Sequence, residues 1–248
     1  MTRVANLLSP AGLVVALGCA LTALGAGLGH RFGWWHYGTG IAMIAIVFWI
    51  AAGAAALCAV ALVLAAAAGA ASRRALVTGV AGLALAGATA WVPYDLRMKA
   101  RSLPPIHDIT TDLADPPEFV RIATLRRPGE NPVAYDGPGV GAQQRSAYPD
   151  LAPLVLKASR DKVFSAAEEA LASMRLEQVE ADRARGRIEA TATSRLFGFK
   201  DDVVVRIVDH ADGTRVDVRS KSRVGRHDFG VNAERIRMFL AKLKAAGG

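Results

Sequence analysis

No aspartate or glutamate occurs before Asp95, and between Met1 and Tyr94 the only charged side chains are Arg3, Arg31, Arg73 and Arg74. Three stretches within this region carry no charge: 11–29 (AGLVVALGCALTALGAGLG), 41–71 and 75–92 (ALVTGVAGLALAGATAWV). About 20 apolar residues suffice for a helix to cross the hydrocarbon core. In lipid each backbone polar group must find its partner inside the segment, so long uncharged runs are best satisfied as spanning helices. Trp34, Trp35, Tyr37, Trp91 and Tyr94 sit at the ends of the runs, where amphipathic rings favour the interface. Three such runs exceed what a small soluble core needs, so residues 1–94 read as a transmembrane region with spans at about 11–29, 41–71 and 75–92.

The remaining features of this region refine that reading. ALGC at 16–19 departs from a lipoprotein cleavage box at Ala16, and two further spans follow, so the first run is expected to be retained rather than cleaved. Arg73 and Arg74 occupy the shortest loop, where positive charge best holds a loop in the cytoplasm. This places the N-terminus inside and everything after Val92 outside, although Arg97, Lys99 and Arg101 pull the other way. Gly25-x-x-x-Gly29 and Gly82-x-x-x-Ala86 would let helices approach closely. The spans hold no acidic or basic side chain, which argues against a transport pathway through them. Cys19 and Cys58 both fall within spans and form no disulfide, redox or metal motif.

Four of the 30 basic residues and none of the 22 acidic ones lie in the first 94, so half of the net charge of +8 belongs to the membrane segment. The basic excess is therefore no argument for nucleic acid. Residues 95–152 read as a Pro-rich tether: nine of the 11 prolines lie between Pro104 and Pro153, and each removes a donor and biases its predecessor away from helix. Within it, the motif at 103–119 carries Ile106, Ile109, Leu113 and Phe119, which should hold it against a folded domain.

Residues 153–248 read as a small α+β domain. A short strand at 153–158 precedes a helix at 160–174, with Ser159 as N-cap and Phe164, Ala167, Leu171 and Met174 at helical spacing. Strands are expected at 176–181, 187–193, 202–209 and 215–222, with turns at DRARG and ADGT. A last helix at 233–245, capped by Asn232, turns Ile236, Phe239, Leu240 and Leu243 inward. An antiparallel sheet with two helices on one face buries these stripes economically.

Three segments, PPIHDITTD (104–112), IEATATSRLFGFKDDVVVRI (188–207) and VDVRSKSRVGRHDFGVNAERIRMFL (216–240), occur in an order that resembles the domain of unknown function 1499 family, over roughly residues 103–243. The resemblance implies an envelope protein, since members are found in bacterial envelopes and some plastids and often follow membrane helices. It implies no established activity and hence no catalytic residues. The element order is also similar to small helix-grip domains of envelope lipoproteins, which is a likeness of fold and not of function.

Three groups of residues are candidate sites. On a strand at 215–224, Asp217, Arg219, Lys221 and Arg223 share one face. With Arg226 this basic set could hold a phosphate or carboxylate through bidentate arginines; alternatively its charges meet Asp201, Asp202 or Glu189 on neighbouring strands. The tip RLFGFK (195–200) presents Leu196, Phe197 and Phe199 between Arg195 and Lys200, a pattern suited to touching an anionic bilayer, or else to closing the end of the core. His107, Asp108, Asp112, His227 and Asp228 could supply a base or a metal site for a hydrolytic enzyme, although no HExxH, G-x-S-x-G or P-loop pattern is present. A lipid carrier is a further option if sheet and helices enclose a cavity. The expected protein is a multi-pass protein of the bacterial inner membrane with a periplasmic domain. Its expected role is non-catalytic, binding or scaffolding against an anionic lipid or another envelope protein, with no metal or other cofactor.

Overall fold

The computed structural model describes residues 1–69 and 72–247. By contacts the chain forms two compact units: Met1–Met98 together with Arg195–Gly198, and Lys99–Ser194 together with Phe199–Gly248.

In the first unit, helices α1 (Thr2–Arg31), α2 (Tyr37–Ala67) and α3 (Arg73–Ser102) are each long and apolar enough to cross a membrane. Each starts before the uncharged run that announced it, and α1 and α3 also end after theirs, whereas α2 stops at Ala67. α1 starts nine residues before its run, and α3 continues through Pro93, which forfeits only one amide donor. The expected end of the second span, at residue 71, lies outside the described residues. The buried positions recur at alternating steps of three and four: Ser9, Gly12, Ala16 and Cys19 on α1, Ala51, Ala54 and Cys58 on α2, Gly79, Gly82 and Ala86 on α3. This is the seam of a left-handed bundle built from small residues. Ala16, Ala54 and Ala86 meet, one from each helix. The Cys58 thiol fills the slot between Gly12 and Gly82; a Cβ at Gly82 would lie 2.7 Å from its sulfur. Gly82 and Ala86 thus pack as their spacing suggests. Gly25 instead faces open space, and Gly29 receives the Trp35 ring.

The second unit is a six-stranded antiparallel sheet, with β1 (Asp108–Thr110), β2 (Leu154–Leu156), β3 (Glu177–Asp182), β4 (Arg187–Thr193), β5 (Lys200–His210) and β6 (Gly213–Ser222). The order is β1-β6-β5-β4-β3, and β2 pairs with the other half of the β6 edge. α5 (Arg160–Ser173) and α6 (Val231–Gly247) pack on one face through Phe164, Leu171, Ile236 and Phe239, against Ile188, Val205, Ile207 and Val218. These side chains form one apolar core between sheet and helices.

Two features differ from the sequence reading. The stretch read as a tether groups with the sheet unit from Lys99 onward and joins the sheet itself at Asp108. It supplies β1 and a helix, α4 (Pro138–Ala147), whose Gln144 side chain accepts from Thr110 N (3.0 Å) and donates to Thr110 O (2.6 Å), closing the free edge of β1. Burial of Ile106, Ile109 and Phe119 drives this, as their apolar character suggested. The start of α6 is capped by Asp228, whose carboxylate accepts from Gly230 N at 2.8 Å and Asn232 N at 3.0 Å. Asn232 is not the cap. It is buried, accepting from Ser220 Oγ (2.6 Å) and donating to Ser222 Oγ (2.9 Å) and His107 O (3.1 Å). Ser159 occupies the cap position of α5 without a side-chain bond.

Candidate functional site

Alternation along β6 turns Val216 and Val218 toward the helices, and Asp217, Arg219 and Lys221 to the opposite face. A basic strand face open to solvent would be an anion site. Instead, residues 111–137 form a strap across this face. Arg219 is 2% exposed and Lys221 is 0%.

Arg219 grips Asp108 bidentately, Nε to Oδ1 and Nη2 to Oδ2, both at 2.8 Å. It also donates to Pro117 O (3.2 Å) and Val133 O (2.9 Å) and lies between the Phe119 and Tyr135 rings, so one guanidinium holds both ends of the strap. Lys221 Nζ donates to Ala134 O (2.7 Å) and Asp136 Oδ1 (2.6 Å) and sits 3.1 Å from Asp108 Oδ2. Arg223 holds Asp202 through Nε and Nη2, and Arg126 of the strap meets the same carboxylate at 2.9 Å. Farther along, Arg206 and Arg215 both bind Asp112 and Asp217. Glu189 on β4 takes the backbone amides of Val120, Arg121 and Ile122 at 2.7, 3.1 and 2.7 Å. The face is thus a closed ionic layer whose charges neutralise one another under the strap. A cation buried with its carboxylates in good geometry is tolerable, whereas one left alone is not.

The expected anion site is therefore corrected for three of its four residues. Arg219, Lys221 and Arg223 are buried and hold carboxylates of their own chain; of the four, Arg226 alone is exposed. Of the partners named from sequence, Asp202 is present in the layer and Glu189 binds amides and Arg187. Asp201 pairs with Arg235 from the helix side. Sequence reasoning did not find Asp136 and Arg126, which come from the strap, and assigned Asp108 to a different role. The strap residues lie far away in the chain, and alternation reveals which side chains share a face but not what covers it.

The two His-Asp pairs also separate. Asp108 faces Arg219 and Lys221, and His107 Nε2 lies instead 3.4 Å from Asp136 Oδ2 without hydrogen-bond geometry. Burial pushes the His107 imidazole below its usual range; Lys221 adds to this, while Asp136 opposes it. His227 stacks on Phe229, and its Nδ1 accepts from Phe229 N at 2.9 Å. Asp228 caps α6, and burial raises its carboxyl although two backbone amides pull it down. Burial also pulls Asp112 upward, but the Asp115 and Ala114 amides with Arg215 and Arg206 outweigh it and hold the carboxyl below the usual range. The hydroxyls of Ser220 and Ser222 are both engaged by Asn232. Among the described residues no three His, Cys, Asp or Glu side chains converge as a metal site.

The tip divides. Arg195–Gly198 group with the helices. Leu196 lies against Gly27, and Phe197 lies beside Gly40 and the His30 ring, its centroid 6.3 Å away. Phe199 belongs to the sheet unit, where its amide donates to Ser194 Oγ at 2.9 Å and its carbonyl accepts from Ser194 N at 2.8 Å. Gly198, at φ +70, makes the turn that this closure needs.

Comparison with curated proteins returns no match. The family model described as "Protein of unknown function (DUF1499)" matches residues 108–243, from the first residue of β1 into the last turns of α6. That span takes in the whole ionic layer and both His-Asp pairs except His107, and it covers more than half of the chain. The chain belongs to the DUF1499 family, as a membrane protein of unknown function.

Proposed function

We propose that this chain is a multi-pass protein of the bacterial inner membrane whose sheet domain faces the periplasm and acts without catalysis. In this reading the domain is a rigid binding or scaffolding platform whose partner is an anionic lipid or a second envelope protein. The carrying observation is the closed ionic layer. Three of the basic groups on this face are engaged with carboxylates of the same chain: Arg219 with Asp108, Lys221 with Asp136, Arg223 with Asp202. Such a layer specifies one arrangement of strap on sheet rather than an open reaction centre. Contact with a partner falls to the exposed Arg226 and to the parts of Leu196 and Phe197 that α1 and α2 leave uncovered, whose exposed basic neighbour Arg195 suits an anionic surface.

Photo-crosslinking in living cells tests this, with the full chain carrying a photoreactive residue at position 197 or 226. Adducts to lipid or to another envelope protein are expected. Adducts confined to the chain itself at both positions would contradict the reading.

A further inference from the structure

Arg3, Arg73 and Arg74 are three of the four charged side chains in residues 1–94, and the sequence places no carboxylate in that region. The structure brings them to one end of the helix bundle. Ser72, just before α3, donates its hydroxyl to Asn6 Oδ1 of α1 at 2.6 Å, so the first turn of α1 and the first turn of α3 lie side by side. All three arginines are exposed, and none is engaged by an ion pair among the described residues. Below them, toward the middle of the bundle, Leu7 and Val77 are 71% and 59% exposed, as side chains facing acyl chains would be. A patch of uncompensated guanidinium groups above an apolar flank complements an amphiphile with a negative head.

We propose that this end of the bundle binds the headgroup of an anionic phospholipid, with the phosphodiester held by Arg3, Arg73 and Arg74 and the acyl chains running along Leu7 and Val77. Guanidinium groups pair bidentately with phosphate oxygens, and their long stems let the charge reach the headgroup level while the backbone stays in the apolar layer. The site lies at the opposite end of α1 from Gly27 and the 195–198 tip, so it stands or falls independently of the tip's role.

The test uses the full chain purified in mild detergent, incubated with phosphatidylglycerol or phosphatidylcholine and examined by native mass spectrometry. Wild type should retain phosphatidylglycerol in preference to phosphatidylcholine, and less of it as salt rises. Each arginine changed to glutamine should weaken retention roughly fivefold, and the triple variant R3Q/R73Q/R74Q on the order of a hundredfold. The triple lysine variant should retain an intermediate amount, because charge survives and bidentate geometry does not. Circular dichroism and gel filtration check that each variant keeps its helices; if the triple variant does not, the single variants and the wild-type salt series decide. Equal retention of the two lipids by wild type, salt-independent retention, or undiminished phosphatidylglycerol on the folded glutamine variants would overturn the proposal.

Discussion

The helix bundle and the sheet domain are packed by opposite means. In the bundle the buried seam is made of Gly, Ala, Ser and Cys apart from Val47, and closeness of backbones does the work; Cys58 fits only because Gly12 and Gly82 lack a Cβ. In the sheet domain one face is an ordinary apolar core, whereas the other buries Arg219, Lys221, Asp108, Asp202 and Glu189. Lipid offers no hydrophobic drive for helix association, so close contact between small residues takes its place. A water-exposed domain can bury charge provided every charge keeps its partner, and this ties the fold to one arrangement of strap on sheet.

Removing one partner from the ionic layer should produce the largest effect. Arg219→Leu leaves Asp108 with Lys221 and the Asp136 amide and releases the strap at Pro117 and Val133. A loss of about 3–5 kcal/mol is expected, read as a lower unfolding midpoint of the sheet domain in the detergent-solubilised full chain. A variant that unfolds like wild type would show that the layer is not what fastens the strap.

The bundle should respond to an added methyl instead. Gly12→Ala would meet the Cys58 sulfur, and such overpacking costs about 1–3 kcal/mol. Gly18→Ala, on the same helix but facing open space, should be neutral or slightly stabilising. Thermal aggregation of the two variants in detergent compares them directly, and equal midpoints would remove the argument from close packing.

The smallest effect concerns pH. Burial holds the proton affinity of His107 below the ordinary value of about 6.5. On acidification through that ordinary value the unfolded chain takes up a proton that the folded chain resists, so stability should fall as pH drops. His107→Gln should flatten this slope. Asp228 works in the opposite sense nearer the carboxyl range, because its raised carboxyl favours the folded state on protonation. Asp112, held low, loses its contribution as pH falls through its folded value. An unchanged slope between neutral pH and pH 5 in His107→Gln would mean that His107 is not the responsible group.

Much of this comparison is legible in the residues. The charge-free runs announce three helices, and the β-branched run at 202–209 with the period-two alternation of 215–222 places the long strands β5 and β6 within about two residues of their ends. The small residues at 82 and 86 mark a real seam. What alternation could not reveal was the strap. Asp108 and Asp136 lie more than 80 residues before the lysine they share, in a segment whose prolines read as tether. Gln144, at the sheet edge, completes β1 with a side chain rather than a strand, and no local pattern announces that. The exchange of roles between Asp228 and Asn232 has the same origin: both can cap a helix, and only the bonds of Asn232 to Ser220, Ser222 and His107, which lie elsewhere in the chain, decide between them.

The central claim is that the first third of the chain resides in lipid while the charged sheet domain resides in water. Extraction of membranes from expressing cells with alkaline carbonate tests it most directly. The full-length chain should remain with the membrane pellet; release into the supernatant would contradict the account.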